Sequence, residues 1–423
     1  MKNLERPIAV ELFAGAGGLS LGMEQAGFDI AVAVEDDPVC AAVYKYNKPN
    51  TNVLRANVIE TSGEDILKAV ADWNNRKDNK ISVICGGPPC QGFSNIGKRN
   101  VDDTRNNLVF EFCRLVKQLK PDYFVMENVP GLLSHKYKGI LLKLISDFKE
   151  AGYQITEPVQ ILDASFFGVP QKRRRVFILG ARHGNQLPTY PVPPLFIEKP
   201  NHLITVREAI ADLPNLDDFE ELLERDWVEL SVSQLYRMQK NASDYARILR
   251  NLVEDERDFS YPRWWNPKLL TNSWRTEHDY ESRIRFAGTA PGKMEQTSRF
   301  KRLHWEKQCC TLRAGTDAKR GAHTSARPLH PEYARVISVR EAARLHSFPD
   351  WFRFHATKWH GFREVGNSVP PLLARAIGSK VIKAMGHTPE RPTSTLSLGD
   401  SSLLNFETRE AALHWTNLKY AVR

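Results

Sequence analysis

The stretch IAVELFAGAGGLSLGMEQAGF, residues 8–28, decides how the chain folds. Residues 8–13 form a short apolar run that reads as a strand. Gly15, Gly17 and Gly18 make a tight turn, and Leu19, Met23 and Ala26 then recur at helical spacing. A strand, a glycine turn and a helix open a nucleotide-binding βαβ unit, in which glycine lets the backbone approach a ligand closely. The spacing departs from GxGxxG, because Ser20 stands where the third glycine would be. Alone, this turn can equally be a simple connection.

Strands and helices alternate from there. A second strand over residues 30–34 ends at Glu35, ~20 positions beyond the first glycine, where a ribose hydroxyl is held in such units. Pro38 opens a helix to residue 46, since proline is tolerated in the first turn. Residues 52–56 read as a third strand with Asn57 at its end, and residues 66–73 as a helix. Residues 81–85 read as a buried fourth strand. It delivers GGPPCQGFSN, residues 86–95, where Pro88 and Pro89 stiffen the backbone before Cys90. A cysteine on a rigid loop at the carboxyl end of a central strand is placed as a nucleophile is; an inert proline-rich turn is the competing reading. An amphipathic helix follows over residues 106–119, stopped by Pro121. A fifth strand, residues 123–126, ends in Glu127-Asn128-Val129-Pro130. A carboxylate there is partly desolvated, which raises its pKa and suits a proton donor. A helix over residues 140–151, strands over 153–162 and 176–180, and the basic cluster QKRRR (171–175) between those strands complete a doubly wound, mostly parallel α/β sheet.

The pattern changes after Arg182. Prolines cluster at 191, 193, 194 and 200, and residues 203–300 are charged, aromatic and irregular, with YPRWW at 261–265. Arginine and lysine interleaved with aromatics suit nucleic-acid contacts. Ser338 and Glu341 form a capping box for a helix over residues 338–348, and GNSVPPLLARAIG, residues 366–378, turns into an apolar helix. Residues 387–423 are Ser/Thr-rich and read as a mobile tail with one short helix around 407–418.

The 423 residues are 42% hydrophobic and 26% charged, a globular composition. No apolar run approaches the ~20 residues that span a bilayer, and the amino-terminal residues have no signal-peptide pattern, so a cytoplasmic protein is expected. The six cysteines show no metal or disulfide spacing, and no metal is expected. The net charge of +9 fits a polyanionic partner, though ordinary solubility charge explains it nearly as well.

Six segments in this order resemble the C5-cytosine DNA methyltransferases from about residue 8 to about residue 385: ELFAGAGGLSLG, GGPPCQGFS, ENVPGLL, QKRRRVFILG, REAARLHSFPD and GNSVPPLLARAIG. The resemblance implies S-adenosyl-L-methionine as methyl donor and cytosine in duplex DNA as acceptor. It implies a catalytic and cofactor-binding domain over 1–190, a target-recognition domain over 191–337, a return segment over 338–386 and a tail over 387–423. It assigns Cys90 as nucleophile, Glu127 to N3 of the base, and Arg173 or Arg175 to O2. Phe13, Gly15, Gly17, Gly18, Glu35, Asn367 and Ser368 would hold the cofactor. Asp36 and Asn57 depart from the family's usual residues beside the adenine. Ser94, Thr311 and Leu312 would meet DNA. A monomer is expected, with a restriction endonuclease for the same site as a functional partner. An RNA cytosine methyltransferase, a non-catalytic DNA-binding module and a nicotinamide dehydrogenase are the alternatives; the Pro-Pro-Cys loop and the long variable segment speak against them.

Overall fold

The computed structural model describes residues 6–73, 80–89, 108–193, 202–315 and 327–421. Cys90 and Ser94 lie outside the described residues. Five βα units build the sheet. They are β1 (Ile8–Leu12), α1 (Gly18–Ala26), β2 (Asp29–Glu35), α2 (Pro38–Asn47), β3 (Asn52–Arg55), α3 (Gly63–Asp72), β4 (Val83–Gly86), α4 (Leu108–Leu119), β5 (Tyr123–Asn128) and α5 (Lys138–Glu150). Three further strands follow: β6 (Tyr153–Ile155), β7 (Gln160–Asp163) and β8 (Arg174–Arg182). The sheet order is β3-β2-β1-β4-β5-β8-β6, with β7 also on β8. The first five strands pair in parallel, and β8 runs antiparallel to β5. This is the doubly wound, mostly parallel α/β sheet expected from the sequence.

Alternation along each strand distributes the core between two faces. Val10, Leu12, Ile84, Phe124 and Met126 pack with α3, α4 and α5 on one face. Ala9, Val83, Cys85 and Val125 pack on the other, under α1 and a late helix of the chain. Each fully buried large apolar side chain contributes ~1.5–3 kcal/mol to this arrangement.

The expected strand over 153–162 is two strands, because Pro158 has no N–H to continue the ladder. β8 begins two residues earlier than expected, which brings Arg174 and Arg175 into the sheet.

The variable segment is more regular than its composition indicated. It holds α6 (Val206–Ile210), β9 (Val228–Glu229), α7 (Val232–Asn241), α8 (Asp244–Leu249), β10 (Arg263–Trp264), β11 (Leu269–Leu270) and α9 (Tyr280–Gly288). Side-chain caps start its helices, with complete capping boxes at Thr205–Glu208 and Ser231–Gln234.

The chain then returns to the sheet through α10 (Val339–Arg344), α11 (Lys358–Asn367) and α12 (Pro371–Ala384). Ser338 and Glu341 form the expected capping box. The helix stops four residues short of the expected end, as Ser347 takes a left-handed φ of 65° ahead of Pro349. α12 lies against α1, closing the second face of the sheet.

The last segment is not a loose tail. β12 (Leu396–Ser397) pairs with β10, Leu403 and Leu404 enter the core, and α13 (Thr408–Ala421) lies on α2. This corrects the expectation of a mobile tail, because its apolar residues find a partner surface. Among the described residues no helix is long and apolar enough to cross a membrane.

Candidate active site and cofactor cleft

The carboxyl ends of β1, β2, β4 and β5 open onto one cleft of about 880 Å³. Parallel strands place their ligand site at this edge. Its lining includes the glycine turn and Glu35 on one side and Glu127 with Arg175 on another.

The glycine turn forms the floor. Phe13, Gly15 and Gly17 have φ of 56°, 54° and 98°. A left-handed phenylalanine is a strained conformation that clusters at functional sites. Glu35 leaves the end of β2 and is gripped from both sides. Its Oε2 accepts from the Gly15 N–H at 2.7 Å and its Oε1 from the Asp37 N–H at 2.8 Å. Burial nevertheless pushes its carboxyl up from the ordinary value. Asp37 in turn caps α2 through the N–H groups of Val39 and Cys40 and pairs with Arg363 at 2.9 Å. Asp36 points outward, 4.0 Å from Arg55. Asn57 turns its side-chain carbonyl onto the Ile59 N–H at 2.9 Å. Both line the cleft, as do Phe13, Gly15, Gly18, Asn367 and Ser368. Gly17 is not among the lining residues; it packs against the Tyr44 ring and shapes the turn from behind.

Two carboxylates that the sequence reading passed over also line this cleft. Glu11 sits in the middle of the apolar strand β1, 1% exposed, and burial pushes its carboxyl up to about 7. Glu364 on α11 is equally buried, and its carboxyl is raised well above the ordinary range for the same reason. Glu11 Oε2 and Glu364 Oε1 have no hydrogen-bond partner among the described residues. A charged strand residue flanked by Val10 and Leu12 was the available signal for Glu11. A buried carboxyl oxygen without a partner, together with Glu35 and the glycine turn, fits a ligand with hydroxyl and amino groups to donate, which S-adenosyl-L-methionine has.

On the other side, Glu127 closes β5 and Arg175 opens β8, its antiparallel neighbour. Arg175 Nε lies 2.7 Å from Glu127 Oε1. Burial raises the Glu127 pKa, opposed by the charges of Arg175 and Arg173. Gly87 passes directly over this carboxylate: a Cβ there would lie 2.8 Å from Glu127 Oε2. Asn128 donates to the Pro88 carbonyl at 3.3 Å, so β5 tethers the stem of the proline loop. Pro88 and Pro89 line the cleft, and Cys90 is the next residue in the chain.

The two arginines of the basic cluster have different surroundings. Arg173 is 1% exposed and donates to three backbone carbonyls at 2.8 Å, those of Leu312, Gly366 and Ser368. It braces the variable segment and the return segment against β8 while also lining the cleft, where its charge acts on Glu127. The expected place of Leu312 against DNA is corrected. Its side chain is buried, and its N–H donates to the fully buried Gln171 at 3.0 Å, so it is not a DNA-facing surface. Thr311 beside it is partly exposed, with its hydroxyl on the Lys172 carbonyl at 2.6 Å.

The family model described as C-5 cytosine-specific DNA methylase matches residues 9–383. The Type II methyltransferase M.XorII of Xanthomonas oryzae pv. oryzae is 49% identical over 409 residues, covering 97% of this chain and 92% of that protein. The Type II methyltransferase M.AgeI of Thalassovita gelatinovora is 31% identical, covering 88% of this chain and 98% of that one. A prophage-encoded E. coli protein, whose crystal structure bears the name of a DNA modification methyltransferase, superposes with a TM-score of 0.69. It is 31% identical and covers 90% of this chain and all of its own. The chain belongs to the C-5 cytosine-specific DNA methylase family and is a DNA cytosine-5 methyltransferase that uses S-adenosyl-L-methionine.

Proposed function

We propose that this enzyme methylates C5 of a cytosine rotated out of duplex DNA, and that it serves as the modification partner of a type II restriction endonuclease. The relatives named Type II methyltransferases support the second part. The observation that carries the first is the Glu127–Arg175 pair, which lines the cleft together with Gly87, Pro88 and Pro89, the residues that directly precede Cys90 in the chain.

C5 of cytosine is a weak nucleophile. Addition of the Cys90 thiolate at C6 makes the ring an enamine, and C5 becomes nucleophilic. Glu127 bonds N3 and supplies a proton as charge builds on the ring. Arg175 orients Glu127 and faces O2, the place first shared between two arginines. Bound in the cleft, S-adenosyl-L-methionine supplies an electrophilic methyl group. Glu35 takes its ribose hydroxyls, Phe13, Gly15 and Gly18 line its methionine side, Asn367 and Ser368 close over it, and Asp36 and Asn57 flank the adenine. Gly17 supports the turn. Water then takes the C5 proton, the C6–S bond breaks to release the Cys90 thiolate, and N3 returns its proton to Glu127. A target base inside the stack is out of reach, so the cytosine must leave it. Ser94 and Thr311 are the proposed DNA contacts near the extruded base.

Residues 191–337 are the proposed target-recognition domain, with residues 338–386 completing the catalytic domain. The test has two arms. Expression in a methylation-free host followed by bisulfite sequencing maps modified cytosines at one recurrent sequence. Purified Cys90→Ser protein should bind that duplex yet transfer no labelled methyl; full retained transfer refutes the nucleophile. A protein that methylates tRNA and not duplex DNA would refute the substrate.

A further inference from the structure

The family match ends at residue 383, yet the chain beyond it is folded onto the back of the cofactor cleft. Trp415 on α13 is buried at 7% exposure, and its indole N–H donates to the Pro38 carbonyl at 3.0 Å. Pro38 is the first residue of α2 and lines the cleft. It directly follows Asp37, whose N–H holds Glu35 and whose carboxylate holds Arg363. The same segment reaches the opposite wall. Leu404 O accepts from the Ala356 N–H at 2.8 Å, and Phe406 O lies 3.0 Å from His355 Nε2. His355 Nδ1 accepts from the Thr357 N–H, which leaves the proton on Nε2 to donate to Phe406. The His355 N–H in turn donates to Glu364 at 2.9 Å, a cleft-lining carboxylate. Further back, the Gly399 N–H donates to the Tyr46 carbonyl at 2.8 Å, fastening the far end of α2.

We infer that the segment from residue 396 to residue 421 is a strap that sets the spacing of the two cleft walls, with Trp415 as a positioning residue for cofactor affinity. Among the described residues, no hydrogen bond or ion pair joins it to Glu127 or Arg175. Its loss should therefore weaken cofactor binding while leaving DNA binding and the chemical step in place. This rests on the proposed placement of the cofactor at Glu35.

The test measures the equilibrium Kd for S-adenosyl-L-methionine, the Kd for cognate duplex and kcat at saturating cofactor in full-length variants. Trp415→Phe keeps an aromatic ring, smaller than the indole, and removes the N–H. One lost buried hydrogen bond predicts a cofactor Kd roughly three- to tenfold higher, with DNA Kd and kcat within about twofold. Leu413→Ala, on the exposed side of the same helix, should change nothing. Glu35→Gln runs in parallel. If Glu35→Gln weakens cofactor binding and Trp415→Phe does not, the strap inference fails alone. If neither moves, the cofactor placement fails with it. If Trp415→Phe weakens DNA and cofactor binding equally, the segment is a general stabiliser, and the inference is overturned.

Discussion

Arg175 Nε and Glu127 Oε1 are 2.7 Å apart across adjacent antiparallel strands, in a site where burial raises the Glu127 pKa and the arginine only partly restrains it. The pair joins two requirements that usually conflict. As a proton donor the carboxyl needs a raised pKa, and it must be aimed. Desolvation raises the pKa, and the guanidinium, which opposes that rise, supplies the aim.

Glu127→Gln should therefore lower kcat by about 10²–10⁴-fold with little change in cofactor Kd, read by single-turnover methyl transfer. In the proposed mechanism Glu127 donates a proton, so activity should fall as pH rises through its raised pKa. Arg175→Ala removes a charge that lowers this pKa. The alkaline limb should move to higher pH in that variant while the maximal rate drops. An alkaline limb that moves down contradicts the assignment.

Gly87→Ala tests the aim of the carboxylate without touching it. The new Cβ would lie 2.8 Å from Glu127 Oε2, so the side chain must swing. A displacement of this size is expected to cost about 10²-fold in kcat. Thermal stability should barely change, because the colliding atom is the end of a side chain that can move.

Glu11 links stability to pH. Its carboxyl is raised to about 7 in the fold against 4.5 in the open chain. A raised carboxylate favours the folded state fully below the unfolded value and loses that advantage as pH rises through the folded one. The shift corresponds to about 3 kcal/mol, lost between about pH 4.5 and 7. Cofactor-free Glu11→Gln protein should show a flatter dependence over this window in urea titrations at several pH values. An unchanged slope would show that Glu11 does not titrate there.

Arg173→Met should behave as a folding variant. It strands three backbone carbonyls that the guanidinium now satisfies. Each buried group left unpaired costs roughly 1–3 kcal/mol, so a loss of about 3 kcal/mol or more is expected in denaturant unfolding. Arg174→Ala, whose side chain is exposed, should be neutral.

The sheet was readable because buried parallel strands are short apolar runs broken by turn residues, and Glu127 stood out as a charge at such a run's end. Glu11 did not, since it lies inside a run and its meaning depends on what packs over it. Arg173 and Arg175 are two residues apart in a basic cluster, and only the packing of Leu312, Gly366 and Ser368 separates the arginine that braces backbone from the one that pairs with Glu127. The helices of the variable segment were overlooked despite legible caps at Thr205 and Ser231, because their apolar faces are too brief to show a period. α11 was missed for a related reason. Gly361 and Gly366 weaken its local preference, and close packing on Val339 and on the Arg313–Ala314 backbone selects them.

The glycine turn near the amino terminus meets the far end of the chain at atomic contact. A Cβ on Gly18 would sit 2.5 Å from the Val369 carbonyl, and Arg173 holds the carbonyls of Gly366 and Ser368. During synthesis the glycine turn and Glu127 are made early, and the residues that close over them emerge after more than two hundred further residues. A polypeptide ending before residue 366 would carry the glycine turn with one wall of its cleft missing, so the cleft can form only after that part of the chain has been made.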